Sequence, residues 1–161
     1  LGRRDMLPLG TTFEIIKPNG SGEVKAFGTV KSVQQDRAEL RITGLKDRFD
    51  PVLPGDMIRN DLYSPEMKHN IFLMGRFSYP YTKPIVTRIL ETLGNEVASE
   101  LGPGVDLIIL GQDTINAEGS GFVPLAETDE FKQAQFLRVE MAPLSKVRQY
   151  LRLSGEMTSA R

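Results

Sequence analysis

The stretch ETLGNEVASELGPGVDLIILGQ, residues 91–112, decides how the second half of the chain is read. It begins at the end of an apolar-periodic segment that stops at Gly94 and continues as a short strand-like run. It then turns at Gly102, Pro103 and Gly104 and closes on the apolar run at residues 105–110. A helix that must reverse at once into a strand commonly needs a left-handed residue after its last turn, and glycine adopts that conformation without a Cβ clash. The closing run, short and bounded by turns, has the character of a strand covered on both faces.

Working outward, IFLMGRF (residues 71–77) is a second such run, closing on Gly75 and its neighbours. Between the two, YTKPIVTRILETLG (residues 81–94) places Ile85, Ile89 and Leu93, with Val86 and Leu90 beside them, on one helical stripe. Thr82 stands as its N-cap, Pro84 sits in the first turn where a missing N–H is harmless, and Gly94 ends it. Downstream, QDTINAEGSGFVPLAET (residues 112–128) reads as a long polar loop. TDEFKQAQFLR (residues 128–138) fits a short helix capped by Thr128 or Asp129, and VEMA (residues 139–142) fits a strand. PLSKVRQYLRL (residues 143–153) fits a last helix with Leu144, Val147, Tyr150 and Leu151 inward. The order β-α-β-β-α-β-α, with buried strands alternating with helices, predicts a largely parallel sheet flanked by helices on both faces.

That order, with IFLMGRF leading into ILETLGNEV, then VDLIILG, then EFKQAQFLRVEMAPLSKVRQYL, resembles a BRCT domain over residues 70–153. In that family the first strand ends in Gly and the first helix ends in a Gly that turns sharply into strand two. Strand three carries an apolar run ahead of a polar loop, and a short second helix precedes strand four. Gly75, Gly94, the run at 105–110, Ala134 and Val139 sit where those features belong. The resemblance implies a four-stranded parallel sheet flanked by helices, in a module that binds partner proteins.

The chain departs from the family where phosphate is bound. The resemblance implies Ser or Thr just before the first-strand Gly and Lys at the start of the second helix. Here Met74 and Glu130 hold those places, with Lys132 two residues on. Met offers no donor and Glu repels phosphate, so the usual pocket is expected to be absent unless Lys132 or Arg76 substitutes. The family's frequent Trp in the last helix is also missing, its place falling near Val147.

The first half has a different period. TTFEIIK, the turn PNGSG, EVKAFGTVKSVQ, the turn QDR and AELRITG alternate apolar and polar residues between Gly, Pro and Asn clusters, as half-buried strands do. PGDMIRNDLYS adds a tight turn at Pro54 and Gly55 and another short strand from Met57. A small antiparallel β-barrel is expected over residues 11–63, between a tail at 1–10 and a polar linker at 64–69. The α/β domain then covers residues 70–153, and a mobile tail covers 154–161.

Composition narrows the function. Of 161 residues 40% are hydrophobic and 25% charged, the balance of a globular protein, and no run approaches the roughly 20 apolar residues of a membrane-spanning helix. The chain starts LGRRDMLPLG without an initiator methionine or a signal-peptide pattern, so a fragment or processed product is expected, with the cytoplasm as default compartment. The absence of cysteine excludes disulfides, thiolate chemistry and cysteine metal sites. Twenty basic and 21 acidic side chains give a net charge of −1, and residues 1–69 carry 11 basic and 10 acidic groups, so neither half is a basic footprint for nucleic acid.

Reactive constellations are sparse. His69 is the single histidine, beside Lys68 in the polar linker, and reads as a solvated residue. No Gly-x-Ser-x-Gly elbow surrounds a serine, and PNGSGEV and AEGSGFV lack the Lys and the helix of a phosphate loop. Asp113 and Glu118 fall near the C-terminal edge of the expected sheet, where open α/β folds bind ligands, with Asp106 at the start of the strand leading there. Arg76, Tyr79 and Tyr81, in GRFSYPYTK, put the composition of a protein-binding hot spot beside the same edge.

The reading that follows is a two-domain, non-catalytic scaffold or adaptor without a cofactor, binding a protein partner. Its binding residues are expected among Arg76, Tyr79, Tyr81, Lys83 and Lys132. One alternative is a module that holds a DNA end with the Arg76, Lys83 and Lys132 patch. The other is a divalent-metal-dependent enzyme using the loop carboxylates.

Overall fold

The computed structural model describes residues 1–18 and 20–151; the 154–161 tail lies outside the described residues. They form two compact units, Leu1–Met67 with residues 149–151, and Lys68–Arg148.

The first unit is built on a four-stranded antiparallel sheet of β1 (Thr12–Ile16), β2 (Val24–Val33), β3 (Ala38–Leu45) and β4 (Met57–Arg59), in the order β3-β2-β1-β4. β1 is the buried centre: Phe13 and Ile15 are core, Phe13 meets Tyr63 edge-on at 5.9 Å, and Thr12 packs its hydroxyl against that of Thr29. β3 and β4 are the sheet's edges, and among the described residues no ladder joins them. The first ten residues are tied down, unlike the expected tail. Arg3 N donates to Gln34 O at 2.8 Å, Tyr63 Oη donates to Asp5 O at 2.7 Å, and Leu7 is buried.

Two buried charges, one acid and one ammonium, are paired in this unit. Glu14, in the centre of β1, accepts from Arg59 Nε at 2.9 Å and from Gln149 Nε2 at 2.6 Å. Lys25 is buried in β2, with its ammonium 2.9 Å from Asp56 and 3.2 Å from Asp50. A buried ammonium is tolerable only with such partners, because an unpaired charge away from water is far costlier than a lost hydrogen bond.

The second unit is a four-stranded parallel sheet of β5 (Asn70–Met74), β6 (Glu96–Ala98), β7 (Leu107–Leu110) and β10 (Glu140–Pro143), in the order β10-β7-β5-β6. Between β7 and β10 lie the hairpin β8 (Thr114–Ile115) and β9 (Phe122–Val123), and the helix α2 (Asp129–Leu137). The helix α1 (Lys83–Thr92) links β5 to β6, and the short α3 (Leu144–Val147) follows β10.

The register explains the stretch at 91–112. α1 ends in a Schellman turn: Gly94 has φ 91°, its N–H reaches Glu91 O at 2.9 Å, and Asn95 N–H reaches Leu90 O at 3.0 Å. β6 starts two residues later. Its last residue, Ala98, lies opposite Phe72 of β5, while the first residue of β7, Leu107, lies opposite Ile71. The chain therefore steps back only one residue, about 3.3 Å, while crossing two strand spacings. A Gly-Pro-Gly loop manages this without the longer crossover that parallel strands usually require.

The connections from β5 to β6 and from β7 to β10 leave the centre in opposite directions, and the right-handed rule for parallel crossovers then assigns α1 and α2 to opposite faces of the sheet. Alternation along the strands agrees with this. Phe72, Met74 and Ile108 share one core with Leu125, Ala134 and the half-buried Phe131. Ile71, Leu73, Leu107 and Ile109 point to the other face and are buried as well. α1 buries Val86, Leu90 and Leu93, so its core stripe is centred one residue away from the Ile85-Ile89 line expected from the sequence.

Two other elements differ from their sequence reading. The loop at 112–128 contains the β8-β9 hairpin, whose turn is held by Asn116: its Oδ1 accepts from Ser120 N at 2.9 Å and Gly121 N at 3.2 Å. The last helix is one α-turn followed by a 3-10 turn, Arg148–Tyr150, and residues 149–151 group with the first unit. Among the described residues no helix is long and apolar enough to cross a membrane.

Candidate functional site

In a sheet of order β10-β7-β5-β6 the chain leaves β5 toward one edge and β7 toward the other. The C-terminal ends of those two neighbours are the point where open α/β sheets leave a crevice. At that rim the backbones of the two departing loops cross. Gly111 N–H donates to Met74 O at 2.9 Å, Arg76 N–H to Gln112 O at 3.0 Å, and Gln112 N–H to Arg76 O at 2.8 Å. Gly75 permits the crossing: its φ is 88°, and a Cβ there would stand 2.7 Å from Gln112 O.

Beside the crossing lies a cleft of about 380 Å³, lined by the loop after β5, the end of β7, and the turn from β10 into α3. That volume lies within the roughly 300–1,000 Å³ of small-ligand pockets. Tyr81 is buried, while Tyr79 is 88% exposed on the cleft's lip, and the intervening Tyr79–Pro80 peptide is cis. Leu110, Pro143 and Leu144 give the cleft an apolar wall.

Two guanidinium groups face this cleft. Arg76 lies over the Phe122 ring at 5.2 Å, with long contacts of 3.4 Å from Nε to Asp113 O and from a terminal nitrogen to Ser78 Oγ. Ser78 Oγ in turn donates to Gln112 Oε1 at 3.0 Å. Arg148 lies over the Tyr81 ring at 5.0 Å. Neither arginine has a carboxylate within ion-pair distance among the described residues, and no Asp, Glu or Lys lines the cleft.

Of the five residues singled out in the sequence, Arg76, Tyr79 and Tyr81 come together here. Lys83 stands apart, its ammonium 5.9 Å from the Phe77 ring, and Lys132 is an exposed side chain on α2, 3.6 Å from Asp129. Met74 is fully buried in the core, and neither it nor Glu130 lines the cleft.

Arg148, Ser78, Gln112 and Ser145 complete the cleft and escaped the sequence reading. Their common signal is position: each falls within a few residues of the end of β5, β7 or β10, and parallel strands bring those ends to one rim.

The carboxylates proposed for metal chemistry are dispersed. Asp106 precedes β7 and Asp113 follows it, so the strand's length separates them. Asp113 Oδ1 accepts from Leu125 N at 3.0 Å, which fixes the chain after β9, and Glu118 is exposed in the hairpin turn. Among the described residues no group of three or more metal-ligating side chains gathers. His69 is not a solvated linker residue. Its Nδ1 lies 3.0 Å from Asp106 Oδ1, whose other oxygen accepts from Asn70 N, so the pair ties the entry to β5 to the entry to β7.

The chain matches no family model, no curated protein and no solved structure.

Proposed function

We propose that this chain is a non-catalytic interaction module whose second unit is BRCT-like and whose rim cleft docks a protein partner. The first unit, an open antiparallel sheet among the described residues and not the closed barrel expected from the sequence, serves as a support. One observation carries the reading: the crevice at the switch point of the parallel sheet presents an exposed tyrosine and two arginines that have no acid partner among the described residues. Tyr and Arg in such a place are the residues that dominate binding energy at protein interfaces. The four-strand order and the Gly75 and Gly94 turns support the BRCT-like assignment.

Affinity capture from the cells of origin tests the function, comparing the native chain with Tyr79→Ala. Tyr79 is solvent-exposed, so the substitution leaves the fold intact, and a specific protein retained by the native chain is expected to be lost or weakened about tenfold or more. Retention of nucleic acid in place of protein, or indifference of the bound set to Tyr79, would refute the reading.

A further inference from the structure

The interaction reading leaves open what chemistry the cleft selects, and the two arginines answer it. A guanidinium laid on an aromatic face keeps its edge N–H groups pointing outward in a fixed fork, the geometry that pairs bidentately with a carboxylate. The Arg148 guanidinium carbon stands 5.0 Å from the centroid of the buried Tyr81 ring, a position from which that fork is available, and its N–H groups donate to no acceptor among the described residues. Arg76 is held only by its two 3.4 Å contacts and the Phe122 ring, long enough to be exchanged for a better acceptor.

The charge is local. The Lys68–Arg148 unit carries 8 basic and 10 acidic side chains, yet the cleft holds only the two arginines. A small cationic recess in a slightly acidic body attracts an acidic group locally while the net charge of the body disfavours acidic surfaces in general. The apolar wall of Leu110, Pro143 and Leu144 asks for an uncharged side chain next to the acid.

We propose that the rim cleft is a receptor for an acidic peptide, in which Arg148 grips a side-chain carboxylate in bidentate fashion, Arg76 gives a second cationic contact, and a neighbouring apolar side chain packs on Leu110 and Leu144. This deepens the interaction-module reading and rests on it. The site is separate from the phosphate pocket that the BRCT resemblance implies, because Met74, Glu130 and Lys132 lie outside the cleft.

The test is fluorescence polarisation of the full chain with a labelled Glu-Leu-Glu-Leu-Glu-Leu peptide, with Gln-for-Glu and phosphoserine-for-Glu versions as comparators. The Glu peptide binds, the Gln peptide binds about tenfold more weakly or less, and added salt weakens the Glu complex. Arg148→Gln reduces affinity about tenfold or more, Arg148→Lys gives a smaller loss, and Lys132→Gln has no effect. Ser145→Glu, which puts an acid on the exposed lip of the cleft, also abolishes binding and serves as a second variant should Arg148→Gln lose its fold.

Absence of binding to the Glu peptide by the folded native chain overturns the proposal. So do equal affinities for the Glu and Gln peptides, unchanged binding in folded Arg148→Gln, and selective binding of the phosphoserine peptide that depends on Lys132. A protein captured through Tyr79 alongside failure of the peptide removes the acidic specificity alone; failure of both removes the interaction reading as well.

Discussion

Gly75 shows how one residue positions the cleft. Its left-handed backbone and the 2.7 Å approach to Gln112 O leave no room for a Cβ, so Gly75→Ala must shift either the end of β5 or the end of β7. A residue forced into such a conformation costs about 1–3 kcal/mol. Denaturant unfolding of the variant is expected to show a loss in that range; an unchanged midpoint would mean that the loop crossing is soft. The resemblance marks Gly75 in the sequence, but the close approach of Gln112, 37 residues on, is visible only in three dimensions. The same holds for His69, whose partner Asp106 lies equally far along the chain, so that a polar neighbourhood in sequence suggested solvent. Capping shows how local the limit can be. Thr82 and Thr128 both stand at helix starts, yet only Thr128 uses its hydroxyl there, accepting from Phe131 N at 3.3 Å.

At the scale of elements, strands and long helices were legible because periodicity is written locally. β5, α1, β7, α2 and β10 fall where apolar runs and the 3.6-residue stripe predict them. The β8-β9 hairpin was not, since two-residue strands leave too short an alternation to register. The last expected helix, whose residues 152–153 lie outside the described residues, differs for another reason. Periodicity continues a helix through residue 153, but Arg148–Tyr150 form a 3-10 turn, with Gln149 drawn to the buried Glu14 and Tyr150 buried. Burial, with the Asp61 and Glu14 charges adding to it, pushes the Tyr150 phenol from its ordinary value of 10.0 up to about 12. Below pH 10 the phenol is protonated in folded and unfolded chains alike; between 10 and 12 only the unfolded chain releases the proton, so this tyrosine costs stability as pH rises through that window. Thermal melts are expected to fall from pH 10 upward in the native chain and less steeply in Tyr150→Phe. Parallel curves for the two would show that the phenol is not buried as described.

For the whole molecule, two units with different sheets divide the work. In the first, an apolar core around Phe13, Ile15 and Leu62 is joined by ion pairs in which Lys17 and Lys25 converge on Asp50 and Asp56, and apolar packing on both sheet faces builds the second. The division of periods between the two halves was readable in part: β3 alternates over its first residues, whereas β1, expected to be half-buried, is buried at four consecutive residues from Thr12. The cleft was readable only in part: Arg76, Tyr79 and Tyr81 share one loop, but Arg148 reaches them from a turn 67 residues beyond Tyr81. Sequence gave no reason to prefer Arg148 over Lys83 or Lys132, both of which the fold sends elsewhere.

The central claim, that partners dock at this rim, is tested most directly by photo-crosslinking in the cells of origin. A benzophenone amino acid would replace either Tyr79, on the lip of the cleft, or Phe136, equally exposed at 86% on α2. The account predicts discrete protein adducts from position 79 and none from position 136. Equal labelling at both positions, or adducts of nucleic acid from position 79, would contradict it.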